Sequence, residues 1–92
     1  MAVTVKIPTQ LRSVTGGDSE TAVDGATTVG DVLDGLYDRY DGLRDRIAVD
    51  GDLRRFVNGY VGGEDIRVLD GLDTPVEDGD EVTILPAVAG GS

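Results

Sequence analysis

The residues of this 92-residue chain that are able to do chemistry are few, and the most telling stand at its end, in Gly90-Gly91-Ser92. There is no cysteine, which removes disulfides, thiolate nucleophiles and thiolate metal sites, and no histidine, which removes the commonest general base and metal ligand. Asp50-Gly51-Asp52 sets carboxylates at alternate positions, as a calcium loop does. An EF-hand loop opening there needs a glutamate at its twelfth place, however, and Val61 occupies it, so the segment reads as a turn with no metal. Gly16-Gly17-Asp18 is followed by neither Lys-Ser nor Lys-Thr and opens no helix, which makes it a hairpin turn rather than a phosphate cradle. Asp31, Asp34, Asp38 and Arg39 lie off the apolar stripe of a helix and form a solvated face, not a pair of catalytic acids. What remains is a carboxylate at the end of a thin tail, Pro86-Ala87-Val88-Ala89-Gly90-Gly91, followed by Ser92. A carboxylate is a poor electrophile at neutral pH, so any chemistry at this end begins with activation by a partner.

The elements that position the tail follow from hydrophobic spacing. Val3, Val5 and Ile7 alternate with Thr4 and Lys6 in a half-buried strand stopped by Pro8, and Glu20 to Asp24 returns from the Gly16-Gly17 turn. Val29, Val32, Leu33, Leu36, Tyr37 and Tyr40 recur at three and four, predicting one helix over Val29 to Tyr40 capped by Thr27 or Thr28, with Thr28 and Asp31 as an approximate capping box. Leu43 and Ile47 suit a short second helical turn after Gly42. Leu53 to Val61 is expected as one strand, Gly62-Gly63 turns the chain into a shorter strand from Asp65 to Leu69, and Glu81 to Leu85 is the last strand. The expected core is Val3, Val5, Ile7, Val29, Val32, Leu33, Leu36, Val57, Val61, Val82 and Ile84, with Leu72 plugging one end. A helix covering one face of such a sheet is an α+β roll.

The last fourteen residues before Ser92, from Asp78-Gly79-Asp80-Glu81-Val82 through Thr83-Ile84-Leu85-Pro86 to Ala87-Val88-Ala89-Gly90-Gly91, resemble the end of the ubiquitin-like β-grasp proteins of the MoaD and ThiS group. There a GDEV turn leads into the last strand, then a proline, then a terminal diglycine. Within the group the tail is similar to those of cysteine-synthesis sulfur carriers, which share the ending TILPAVAGG, and to those of small archaeal modifier proteins. Ser92 departs from the pattern. The resemblance implies a β-grasp roll over residues 1–86, a mixed sheet of four to five strands on one main helix, with the first and last strands parallel at its centre. Residues 87–92 are then a flexible diglycine tail.

The resemblance also implies a mechanism. An ATP-dependent activating enzyme, using magnesium, adenylates the Gly91 carboxyl group after Ser92 is lost, with Gly90 keeping the tail thin; the chain itself binds no cofactor and is not an enzyme. The adenylate becomes either a thiocarboxylate for a sulfur-accepting enzyme or an isopeptide bond to lysines of target proteins. A metal-dependent protease that trims Ser92 and later releases conjugates fits the second fate. Docking is expected at Leu85 with Phe56 or Tyr60, beside Pro86, Ala87, Val88 and Ala89. Lys6, the only lysine, is the one lysine acceptor for self-chains. Composition tilts the reading toward a modifier; the tail favours the alternative, a sulfur carrier for cysteine, molybdopterin or thiamine-type biosynthesis.

Charge sets the remaining bounds. With 8 basic and 18 acidic residues the net charge is -10, a surface that repels nucleic acid and anionic membranes. No apolar run approaches a membrane span and Met-Ala-Val-Thr-Val-Lys lacks signal-peptide form, so a cytoplasmic monomer is expected. Abundant aspartate with a single lysine resembles proteins of salt-loving archaea. Self-repulsion should oppose compaction in dilute buffer, whereas at 1 M salt the Debye length falls to about 3 Å. The amide spectrum is therefore expected to be heterogeneous at low salt and to sharpen in molar salt; equal dispersion in both would contradict this.

Overall fold

The alternation of the first strand is realised in β1, Ala2–Lys6, whose Val3 and Val5 are buried while Thr4 and Lys6 point to the other face. The computed structural model describes residues 2–49, 52–54 and 57–86, with position 86 described by its backbone. β2, Glu20–Asp24, returns antiparallel to β1 in the register Val3↔Val23 and Val5↔Thr21. α1, Val29–Arg39, follows, then α2, Leu43–Ile47, and a two-residue ladder of β3, Ala48–Val49, with β4, Asp52–Leu53. β5, Val57–Val61, pairs antiparallel with the short β6, Glu64–Asp65, and β7, Glu81–Pro86, completes the sheet. The main sheet has five strands in the order β2-β1-β7-β5-β6, with β1 and β7 parallel and adjacent.

α1 begins where its capping residues predict. Thr28 Oγ1 accepts from the Asp31 N–H at 3.2 Å, and the Asp31 carboxylate accepts from both the N–H and the hydroxyl of Thr27, at 3.1 and 2.8 Å. The reciprocal half of the capping box thus falls on Thr27, one residue before the cap. These bonds, led by the Thr27 hydroxyl, hold the Asp31 carboxyl below the ordinary aspartate range. The helix stops at Arg39 because Tyr40 turns to extended backbone while its N–H still donates to the Leu36 carbonyl. Gly42, at φ +85°, then redirects the chain into α2.

The apolar stripe of α1, Val29, Val32, Leu33 and Leu36, is buried against Val3, Val5, Val57, Val82 and Ile84 from the sheet. Leu43 and Ile47 join this core from α2, and Leu11, Ala26, Ile66 and Val76 from loops and 3₁₀ turns, where no period marks them. Val61 and Leu72 are half-buried and pack at its margin.

Two expected strands are shorter than their apolar runs suggest. The run from Leu53 to Val61 is broken: the Arg54 N–H donates to the Ile47 carbonyl and so still follows the β3/β4 ladder, whereas β5 begins only at Val57, whose N–H donates to the Arg54 carbonyl. The run from Asp65 to Leu69 is strand only at β6; Ile66–Val68 winds into a 3₁₀ turn because the Asp65 side chain accepts from the Arg67 N–H at 2.8 Å and Ile66 turns into the core.

Gly35 shows how closely helix and sheet meet. A Cβ added there lies 2.7 Å from Val23 Cγ1, a contact no ordinary side chain makes. Gly35→Ala should therefore destabilise by about 1 kcal/mol, overpacking outweighing the helix propensity gained. In a Val23→Ala background the same change should stabilise instead. Urea unfolding of the four proteins of this cycle checks the sign reversal, and a stabilising Gly35→Ala in the unaltered chain would contradict the close approach.

Candidate functional site

The Gly62 N–H donates to the Glu81 carbonyl at 3.0 Å, and the antiparallel ladder alternates from there. Tyr60/Thr83 and Asn58/Leu85 are thus the hydrogen-bonded pairs, and Val57/Pro86 is a non-hydrogen-bonded pair. The missing N–H of Pro86 takes nothing from β5, since it faces the β1 side. On that side the Thr4 N–H donates to the Asp80 carbonyl, and the parallel register runs from Thr4↔Glu81 to Lys6↔Thr83. One rung further the two strands present Pro8 and Pro86, neither of which has an N–H to give. Two prolines on neighbouring strands thus end the ladder together, and β7 runs its last residues beside β5 alone.

Leu85 and Tyr60 lie on the outer face of the sheet as expected, on diagonal positions of the β5/β7 pair. Leu85 is 45% exposed, an uncommon value for a leucine in a central strand, and Tyr60 is half-buried. Lys6 shares this face, with its Nζ 3.1 Å from Glu20 and 4.0 Å from Glu81. Phe56 and residues Ala87, Val88, Ala89, Gly90, Gly91 and Ser92 lie outside the described residues.

Sequence reasoning missed Arg67. β6 covers β5 only at Tyr60 and Val61, so among the described residues the outer edge of β5 at Val57 and Asn58 has no strand beside it. The Arg67 guanidinium lies along that edge: Nη2 donates to the Val57 carbonyl at 2.8 Å and to the Arg54 carbonyl at 3.5 Å, and Nη1 donates to Asn58 Oδ1. No local pattern marks this arginine, because the bonds join residues nine or more apart.

The helical side offers a different environment. A cavity of about 460 Å³ between α1, α2 and β3 is lined by Leu33, Asp34, Tyr37, Arg44, Val49 and Leu72 among others. The Arg44 guanidinium stacks 4.9 Å from the Tyr37 ring centroid, and burial, followed by the Asp34 carboxylate, pushes the Tyr37 hydroxyl above its ordinary range. A phenol held protonated in this way is no general base at neutral pH. Among the described residues no cluster of acidic side chains is arranged to hold a metal ion, and no helix is long and apolar enough to cross a membrane.

Comparison with known proteins agrees with this geometry. The chain is 50% identical to the sulfur carrier protein CysO of Mycobacterium tuberculosis, over 99% of this chain and 100% of that protein. It is 46% identical to small archaeal modifier protein 3 of Haloferax volcanii, over 75% of each. Among solved structures, a chain of the Amycolatopsis orientalis BexX/CysO complex superposes with a TM-score of 0.88 at 45% identity, covering 96% of this chain and 98% of that one. The mixed five-stranded sheet on one main helix is thus the ubiquitin-like β-grasp fold. Matched by that family over residues 5–91, a span that ends on the second glycine of the tail, the chain belongs to the ThiS family.

Proposed function

We propose that this protein is a sulfur carrier, loaded as a thiocarboxylate at Gly91. The Gly91 carboxylate, freed of Ser92, attacks the α-phosphorus of ATP on an activating enzyme that also holds magnesium, and pyrophosphate leaves. Sulfide from a donor then attacks the acyl carbon; a C–S bond forms, the C–O bond to AMP breaks, and a sulfur-accepting enzyme later takes the sulfur. The observation that carries this reading is the full-length, 50% identity to a sulfur carrier. This weighs against the tilt toward a modifier that composition suggests, because the modifier proteins that match nearly the whole chain do so at lower identity, 38% and 31%, and the 46% match spans 75% of it.

The chain's own contribution is the carboxylate, the tail and a docking face. Leu85 and Tyr60 supply the apolar part of that face, together with Phe56 and the tail residues Pro86, Ala87, Val88, Ala89 and Gly90. ATP and the catalytic groups belong to the partner, so the protein acts as a carrier and not as an enzyme. Nucleic acid and membrane are not partners of so acidic a surface.

Isopeptide attachment of Gly91 to target lysines is a second reading, and the 46% identity to a modifier protein supports it. In that role Lys6 is the only lysine through which copies join, and it faces outward with 45% of its side chain exposed. Lys6→Arg should then abolish lysine-linked self-chains while leaving other conjugates intact, as a digest searched for Gly-Gly remnants reports; self-chains that persist would have to use the N-terminal amine.

Three proteins test the reactive residue: the full chain, one ending at Gly91 and one ending at Gly90, each given the cognate activating enzyme, ATP and magnesium. Adenylate is expected only from the form ending at Gly91, unless a metal-dependent protease first trims the full chain. With a sulfide donor, its intact mass should rise by the difference between sulfur and oxygen. Adenylation of a chain still carrying Ser92 would overturn the assignment of Gly91.

A further inference from the structure

We infer that Arg67 is a positioning residue for the tail: its guanidinium fork locks the last strand pair from which the tail departs, and so sets how well the tail is presented to a partner. The inference rests on the activation reading for its functional half and on geometry alone for its structural half. Beyond Thr83 the β1 side of β7 is closed to pairing by Pro8 and Pro86, so Leu85 is held by one neighbour, Asn58. Among the described residues, Asn58 and Val57 in turn lack a strand on their far edge, because β6 ends its pairing at Tyr60. A two-stranded ribbon projecting past its sheet is marginal by itself in water.

Arg67 stands where the absent strand belongs. It meets the outward Val57 carbonyl, the Arg54 carbonyl that accepts from the Val57 N–H, and the Asn58 side chain. Its own backbone is fixed by the Asp65 side chain, which caps the 3₁₀ turn. A series of hydrogen bonds therefore runs from Asp65 through Arg67 and Asn58 to Leu85, one residue before Pro86. A planar fork satisfies two acceptors in one geometry, which a lysine ammonium does not.

The test compares the unaltered protein with Arg67→Ala and Arg67→Lys. Amide exchange is read on the full chain, where the Asn58 and Leu85 N–H groups are the last ladder donors before the tail. Arg67→Ala should lower their protection roughly tenfold while leaving Val5, in the sheet centre, unchanged. In chains ending at Gly91, adenylation should show a KM raised severalfold with kcat nearly constant, since the reacting group is untouched. Arg67→Lys should fall between the two in both measurements. Unchanged protection at Asn58 and Leu85 would overturn the brace, and so would protection lost equally at Val5. Full rescue by lysine would replace the fork with charge alone. Lost protection with an unchanged KM would overturn the positioning role. If the chain ending at Gly91 is not adenylated even with Arg67 in place, the activation reading fails, and the functional half with it, while the exchange data still decide the brace.

Discussion

The parallel pairing of β1 with β7 is the constraint on which the rest of the molecule depends. Parallel neighbours cannot be joined by a tight turn, so nearly the whole chain must cross between them, and in doing so it lays α1 over one face of the sheet. Because β7 enters between β1 and β5, Val82 and Ile84 are buried at 1% and 2% exposure. The tail is therefore rooted in the middle of the sheet rather than on an edge strand. At the same end both flanks fall away, on one side through Pro8 and Pro86 and on the other through the shortness of β6. A central root thus fixes the base of the tail, at Leu85 and Pro86, in the middle of the sheet.

The distribution of charge is consistent with that arrangement. Both ion pairs found among the described residues involve Lys6, and exposed pairs of this kind contribute little to stability. Arginines serve otherwise: Arg39 donates to the Thr21 hydroxyl, Arg44 stacks on Tyr37, Arg54 donates to the Asp45 carbonyl, and Arg67 braces β5. Bonds from a cation to uncharged acceptors and rings depend less on ionic strength than ion pairs do. Most carboxylates are left to solvent, and the molecule's cohesion comes from its apolar core and from these neutral contacts.

What could be read in the sequence was whatever repeats or caps locally. The three-and-four spacing of Val29 through Leu36, the alternation of Val3, Val5 and Ile7, and the Thr28 cap all act within a few residues and appear in the structure as expected. β3 and β4 escaped because two-residue strands have no period, and the run beginning at Asp65 misled because one side-chain bond to the Arg67 N–H decides turn against strand there. Ile66 and Val76 reach the core from a 3₁₀ turn and a loop, where burial follows from the path of the chain. Arg67 was not legible at all: its acceptors are set by how short β6 is, a property of the assembled sheet. The tail letters disclosed the family, and Leu85 and Tyr60 fell on one face because alternation alone dictates it.

On the proposed chemistry, carrier and modifier differ in the nucleophile that would meet the acyl-adenylate, and both readings use the same Gly91 carboxyl group. Lysine poverty, which on composition suggests a modifier, has a different meaning on chemical grounds. An activated acyl group is consumed by any unprotonated amine that reaches it, including amines of other copies of the same protein. A chain with one lysine, held between Glu20 and Glu81 on an outer face, offers its activated copies few such encounters beyond the N-terminal amine. A modifier has targets that supply the lysine, and stray self-attachment costs it little. A carrier is lost for sulfur transfer with every isopeptide formed, so scarcity of amines on its own surface serves the carrier more than the modifier, in line with the full-length relationship to a sulfur carrier.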